Sequence, residues 1–259
     1  MTSSAAALLE ARREGVPLDG FPGGVPRDRQ AGYAIQDEIL QSNPGRPVGW
    51  KVAMVRADLR DRFGEDRIVG PIFAEGLQVA AAGETVSASV CDGGFGALEA
   101  EFAIKTGRDL NASDGPFDTE AIAAAVGAMH MGIEIASSPI ADLNGLGPAA
   151  IAADHGGNGG GVLGPVIPQD GVRSVESKMT INGAVAGTGS SASVPGGPLA
   201  ALAFLANHLA ARGIDLPSGS IVLTGMTTGV HDVKPGDRAI VAFSGIGEIH
   251  VDVRAVSGI

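Results

Sequence analysis

Leu98-Glu99-Ala100-Glu101-Phe102-Ala103-Ile104 alternates apolar residues with acidic or small ones. In an extended chain successive side chains point to opposite faces. Leu98, Ala100, Phe102 and Ile104 therefore share one face and can join a core, while Glu99 and Glu101 share the other. An antiparallel strand with one wet face shows the same alternation. Here, however, the neighbours on the acidic face are Ala97 and Ala103, not the Lys, Thr or Arg that a solvated face tends to carry. Small neighbours leave room above the carboxylates for a ligand. Two carboxylates so placed repel each other, and a hard divalent cation is the usual way to hold such oxygens together.

A third acid, Glu134, lies in another apolar run, 126–136. If Ile133 and Ile135 face one layer, Glu134 faces the layer that receives Gly132. A carboxylate there is at a surface or needs a partner, because a buried unpaired charge is strongly unfavourable. Glu99, Glu101 and Glu134 together predict a site for Mg²⁺ or Mn²⁺ in an enzyme acting on a small oxoacid.

The remaining composition narrows the class. A chain of 259 residues can bury a sizeable core. Forty glycines and 4% aromatic residues point to many turns and close backbone approaches, not to a helical bundle. The formal charge of −11 argues against nucleic acid and anionic membrane surfaces as partners. Cys91, the single cysteine, rules out an intrachain disulfide and a thiolate metal cluster, and reads as a small packed residue. No run approaches the roughly 18 to 20 apolar residues that span a bilayer, and the first ten residues lack a basic start. A cytoplasmic location is the expectation.

Along the chain, helical spacing runs from residue 1 to about 45. A first helix is expected with its cap at Ser3 or Ser4 and its stop at Gly15. A second starts at Asp28, carries Ala31, Ala34, Ile35 and Ile39, and ends at Asn43-Pro44-Gly45. Residues 48–55 read as a buried strand carrying Lys51. The stretch 56–70 is the most charged, with Arg56, Arg60, Arg62 and Arg67 among four acids. It reads as a solvated loop or helix, or as a lid. Strands dominate from 71 onward, interrupted by helices at 118–126 and 198–212, with a hairpin at Asn182-Gly183 and a turn at 234–237. The division is a helical part and lid over 1–70 and a β-rich catalytic body over 71–259.

Lys51, in an apolar run, either extends its stem to water or sits in a pocket to bind a carboxylate or move a proton. The glycine cluster 151–164 lacks the Lys-Ser/Thr pair of a phosphate loop. Its backbone amides, Gly159 among them, can instead meet substrate oxygens, with Asp154 and Asn158 as polar supports. The five histidines form no zinc pattern.

These stretches, in order, resemble the fumarylacetoacetate hydrolase superfamily and within it the 2-keto-4-pentenoate hydratase branch. The matching pieces are 33–37 (Tyr-Ala-Ile-Gln-Asp), 48–51 (Val-Gly-Trp-Lys), 98–103, 132–135 (Gly-Ile-Glu-Ile), Ala153-Asp154 through 162–164, and 223–225 (Leu-Thr-Gly) followed by 235–237 (Pro-Gly-Asp). The resemblance implies an α+β fold, a β-rich roll of the family's type with a small helical N-terminal part, assembled as a homo-oligomer. It implies Glu99, Glu101 and Glu134 as ligands of Mg²⁺ or Mn²⁺, Lys51 and Asp154 as catalytic residues, and Lys51, Asn158, Gly159 and Thr224 on the substrate. The implied reaction hydrates a 2-hydroxy-2,4-dienoate to a 4-hydroxy-2-oxoacid. Decarboxylation of 2-oxo-hex-3-enedioate is the near alternative, with an arginine of 56–62 on the distal carboxylate. Acylpyruvate hydrolysis calls for a His–Glu pair in the N-terminal part, and no histidine precedes His130. A catalytically silent subunit is the last reading. The chain departs from the branch at Asp154-His155-Gly156-Gly157, where Gly157 takes the place of a serine.

Overall fold

The computed structural model describes residues 2–42, 45–168, 172 and 175–257. The chain opens with helix α1 (Ser3–Glu14) and helix α2 (Arg29–Ser42). The cap of α1 is Thr2, one residue ahead of the expected serines. Thr2 is still extended, so its hydroxyl can accept from the Ala5 N–H, whereas Ser3 already belongs to the helix. Gly15 closes α1 in the left-handed conformation (φ 65°) and Asp28 caps α2 by accepting from the Ala31 N–H. The expected stop of α2 at Asn43-Pro44 lies outside the described residues.

The strands are β1 (Pro47–Met54), β2 (Arg67–Phe73), β3 (Leu77–Val79), β4 (Thr85–Val90), β5 (Phe95–Thr106) and β6 (Val126–Ser138). They continue with β7 (Asn158–Ile167), β8 (Glu176–Ile181), β9 (Ala184–Ser190), β10 (Ile221–Met226), β11 (His231–Asp232), β12 (Arg238–Phe243) and β13 (Gly247–Ala255). One eight-stranded sheet runs β2-β1-β10-β5-β6-β7-β3, with β11 also paired to β5. A five-stranded sheet runs β4-β13-β12-β8-β9. The β8–β9 hairpin turns at Asn182 (φ 50°) and Gly183 (φ 84°), the paired left-handed conformations that an Asn-Gly turn supplies. Strands β1 and β2 fall within 47–73 and lie inside the large sheet, beside strands of the body.

The main core lies where the two sheets meet. The apolar face of β5 and β6 contributes Leu98, Phe102, Met131 and Ile133, and the smaller sheet contributes Val241, Phe243 and Ile249. Phe102 and Phe243 meet edge to face at 5.3 Å between ring centres, a favoured aromatic geometry.

Four short helices, α3 (Arg60–Phe63), α4 (Thr119–Ala124), α5 (Leu143–Leu146) and α6 (Pro148–Ala153), and the longer α7 (Pro198–Ala211) complete the fold. A second apolar cluster joins α1, α2, α5 and α6 through Leu8, Ile39, Leu143 and Ala150. A single helical turn, His155–Gly157, follows α6 and packs on β1, β2 and β6. Gly70 on β2 is needed there, since a Cβ at that position would come within 1.8 Å of the His155 carbonyl oxygen.

Candidate metal and substrate site

Strand pairing gathers the acids. Glu99 on β5 stands opposite Glu134 on β6, and Glu101 stands opposite Gly132. Paired residues share a face, so all three carboxylates rise from the same side of the sheet. Their nearest oxygens lie within 4.8 Å of one another, and all three residues are buried. Lys51 on β1 reaches the group from two strands away, its Nζ 3.1 Å from Glu134 Oε1. Asn158 donates its side-chain amide to the same oxygen at 3.0 Å. The Gly225 N–H donates to Glu101 Oε2 at 2.8 Å. That leaves Glu101 Oε1 and Glu134 Oε2 buried and without a hydrogen-bond partner among the described residues.

The electrostatics of this cluster are unfavourable without a cation. Burial and then the charge of Glu134 push the Glu99 carboxyl up to about 8. Burial and the neighbouring carboxylates also drive Glu101 well above the usual range. Burial pulls the Lys51 ammonium down, but the charges of Glu134, Glu99 and Glu101 outweigh it and hold the group above its ordinary value. Three carboxylates against one ammonium leave two negative charges, which one divalent cation cancels. The donors are hard oxygens, of the kind Mg²⁺ and Mn²⁺ take. Two unpartnered buried oxygens, an all-carboxylate donor set and this charge balance make the three glutamates able to hold such an ion.

Beside the acids opens a cavity of about 350 Å³. Lys51, Glu99 and Thr224 line it, together with Gly156 and Gly157 of the turn after α6. Thr224 donates its hydroxyl to the Phe102 carbonyl at 2.8 Å. Gly157, at φ 75°, brings backbone but no hydroxyl to the wall.

The other expected site residues stand behind this wall. Asp154 is fully buried and accepts from Arg12 Nε at 2.5 Å. Asn158 and Gly159 border a second cavity on the Arg12 side, although the Asn158 side chain turns back to Glu134. His155 is also buried, and burial followed by the charge of Arg12 pulls its imidazole down to about 3. His130 turns away, with Nδ1 2.9 Å from the Gly164 carbonyl oxygen. His208 packs against Tyr33 and Phe204.

Residues not singled out from sequence complete the surroundings. Arg12 was legible in principle: it follows Leu8 by four residues, on the stripe that buries Ala5, Leu8 and Ala11. Arg67, read from sequence only as part of a charged stretch, lines the cavity, as does Arg60, one of the arginines of 56–62 expected for a distal carboxylate. Arg60 is tethered through Nε to the Val55 carbonyl at 2.9 Å. Arg67 donates to the Pro195 carbonyl at 2.6 Å and lies 5.9 Å above the Phe204 ring.

With the geometry in place, known proteins can be set beside the chain. The model for the fumarylacetoacetate (FAA) hydrolase C-terminal family matches residues 72–254. A 2-keto-4-pentenoate hydratase of Burkholderia vietnamiensis is 30% identical over 260 residues, covering 96% of this chain and 95% of that protein. A 4-oxalocrotonate decarboxylase of Pseudomonas putida is 40% identical over 78 residues only, 30% of either chain. Among solved structures, 4-oxalocrotonate decarboxylase from Pseudomonas putida G7, complexed with magnesium and adipate, shares the fold. It has a TM-score of 0.80 at 23% identity, covering 96% of this chain and 95% of that one.

Proposed function

The chain belongs to the fumarylacetoacetate hydrolase family, and from that premise we propose that it is a divalent-metal-dependent hydratase. It adds water to a 2-hydroxy-2,4-dienoate to give a 4-hydroxy-2-oxoacid. The observation that carries this reading is the buried trio Glu99, Glu101 and Glu134 with Lys51 at 3.1 Å, opening on a cavity of about 350 Å³. Full-length likeness to a protein named 2-keto-4-pentenoate hydratase supports the choice within the family.

Glu99, Glu101 and Glu134 are the residues that would hold Mg²⁺ or Mn²⁺. Such an ion supplies Lewis-acid stabilisation for the negative charge that builds on the C1 carboxylate and C2 oxygen of a 2-oxoacid. The Gly225 N–H fixes one oxygen of Glu101 and so directs the other inward. Lys51 presents its ammonium to the cavity, where it neutralises the substrate carboxylate or moves a proton at the C2 oxygen. In the overall reaction the enol proton is lost as C5 gains one, and water then adds its oxygen to C4 and a proton to C3. Thr224 lines the cavity and would meet the substrate there. Asp154, Asn158 and Gly159 take part from behind the wall, by holding the segment that carries Gly156 and Gly157. Arg60 brings the short helix α3 to the cavity rim, which supports a lid role for 56–66, whereas Arg67 to Gly70 belong to β2 of the large sheet and form part of the wall. No helix among the described residues is long and apolar enough to cross a membrane. The proposal keeps the cytoplasmic location expected from the sequence and the homo-oligomer that resemblance to the family implies.

Those two arginines also favour a second reading. Met54 pairs with Arg67 three residues along β1 from Lys51, roughly 10 Å at the usual strand rise. A second carboxylate at the far end of a six-carbon substrate would meet a cation there, as decarboxylation of 2-oxo-hex-3-enedioate requires. The adipate bound by the decarboxylase that shares the fold is a six-carbon dicarboxylate.

The test is turnover of freshly generated 2-hydroxypenta-2,4-dienoate with Mg²⁺ or Mn²⁺ against an EDTA control, with products identified by NMR. Metal-dependent 4-hydroxy-2-oxopentanoate is the expected result. Release of CO₂ from 2-oxo-hex-3-enedioate, with no hydration of the dienoate, would replace the first reading by the second.

A further inference from the structure

We infer that Arg12, on the N-terminal helix, is a positioning residue for the metal-binding carboxylates and acts on them through Asn158. The inference rests on the reading of Glu99, Glu101 and Glu134 as a metal site. Arg12 touches neither the trio nor the cavity beside it. Its guanidinium is instead spent on one segment of backbone. Nε donates to Asp154 Oδ1 at 2.5 Å, one terminal nitrogen donates to the Asn158 carbonyl at 2.9 Å, and the other donates to the Ser137 carbonyl at 2.9 Å and the Asp154 carbonyl at 3.0 Å. The side chain is 13% exposed, so these bonds form away from competing water.

The place where the fork lands is the reason to assign it more than a packing role. Strands β6 and β7 lose register between Ile135 and Ala136, next to the pair Ala136 and Asn158. Arg12 ties Ser137 on one strand to Asn158 on the other across that irregularity. The turn before β7 is packed on β1, β2 and β6, but Gly156 and Gly157, at φ 71° and 75°, carry no side chains that could reach Asn158, so the Arg12 fork is the side-chain contact on its backbone. From the pinned backbone of Asn158, the side-chain amide donates to Glu134 Oε1 at 3.0 Å and to the Gly160 carbonyl at 3.0 Å. Asn158 and Lys51 together occupy Oε1 of Glu134, which leaves Oε2 as the free oxygen. If Asn158 shifts, Glu134 can rotate and exchange the oxygen it offers. Arg12 thereby sets the orientation of a proposed ligand from the far side of β7, as outer hydrogen bonds commonly do at metal sites.

The experiment is a Mn²⁺ titration followed by electron paramagnetic resonance, on the full chain. Arg12→Lys keeps a positive charge against the buried Asp154 but loses the planar fork. It is expected to bind Mn²⁺ about tenfold more weakly, with kcat reduced more than KM. Asn158→Ala leaves the fork in place and removes the link. It should weaken Mn²⁺ to the same extent, and it reads the same coupling should Arg12→Lys not fold. The double variant should weaken it no further. Leu8→Ala, which loosens the docking of the same helix, should lower the melting temperature and leave Mn²⁺ affinity within about twofold. Unchanged affinity in a folded Arg12→Lys or Asn158→Ala variant, additive losses in the double variant, or an equal loss in Leu8→Ala would each overturn the inference. If the native chain binds no Mn²⁺ at all, the metal reading fails and takes the inference with it.

Discussion

The two faces of β5 and β6 are made by the same strands and serve opposite ends. On one, Leu98, Phe102, Met131 and Ile133 close against the smaller sheet and are sealed from water. On the other, Glu101 and Glu134 are just as deeply buried and Glu99 nearly so, but they gather like charges, two of whose oxygens have no hydrogen-bond partner among the described residues. The apolar face stabilises the fold by burial. The acidic face draws on that stability, since each of its carboxylates would be better solvated in the unfolded chain. A rigid apolar layer directly beneath is what lets three repelling groups be held in one geometry. Function at this site is thus a local violation of the rules that the opposite face obeys.

That contrast can be broken from either side. The largest effect is expected on the acidic face: Glu101→Ala should lower metal-dependent turnover by at least about 1,000-fold while circular dichroism stays native. The same change should raise the melting temperature of the EDTA-treated protein, because one of three repelling buried groups is gone. Full activity with normal metal dependence in this variant would show that the site is wrongly assigned. The mirror experiment is Phe102→Ala on the apolar face. Urea unfolding should show a loss of about 3–5 kcal/mol, with turnover per folded molecule little changed.

The effect that appears only in acid concerns the turn that walls the cavity. His155 is buried with its imidazole held near 3, by burial and by the Arg12 charge, beside the Asp154 carboxylate. The unfolded chain binds a proton on this residue below its ordinary value of 6.5, while the native chain binds it only near 3. Stability is therefore fully present above pH 6.5 and falls as pH drops towards 3, with a slope approaching about 1.4 kcal/mol per pH unit. His155→Asn, which tolerates the left-handed backbone at that position (φ 56°), should remove one proton from this slope. Denaturation midpoints measured across that pH range would check it.

How much of this was legible in sequence follows the same division between local and distant. Alternation placed Glu99 and Glu101 on one face, and the capping and turn residues Gly15, Asp28 and Asn182-Gly183 marked their elements, because each acts within a few residues. The register that sets Glu134 opposite Glu99 joins residues far apart in the chain, as does the parallel pairing of β1 with β10 that brings Lys51 in. Neither can be read from spacing, and the resemblance to a family stood in for them. Asp154 and Gly159 illustrate the limit. Their glycine-rich stretch pointed to a wall near a ligand, but which residues face the cavity depends on the left-handed turn at 155–157, a tertiary detail. The burial of Arg12 was legible from its helical stripe, but the roles of Arg12 and Arg67 were not, for a different reason. Arg12 bonds to the Ser137 and Asn158 carbonyls and Arg67 to that of Pro195, and backbone carbonyls leave no mark in a sequence.

The claim on which everything else depends is that the acidic face is a metal centre. Its most direct test is a crystal soaked in Mn²⁺ and measured at the manganese absorption edge. The account predicts one anomalous peak within about 2.1–2.3 Å of an oxygen from each of Glu99, Glu101 and Glu134. Manganese bound elsewhere, with these three carboxylates left uncoordinated, would contradict it.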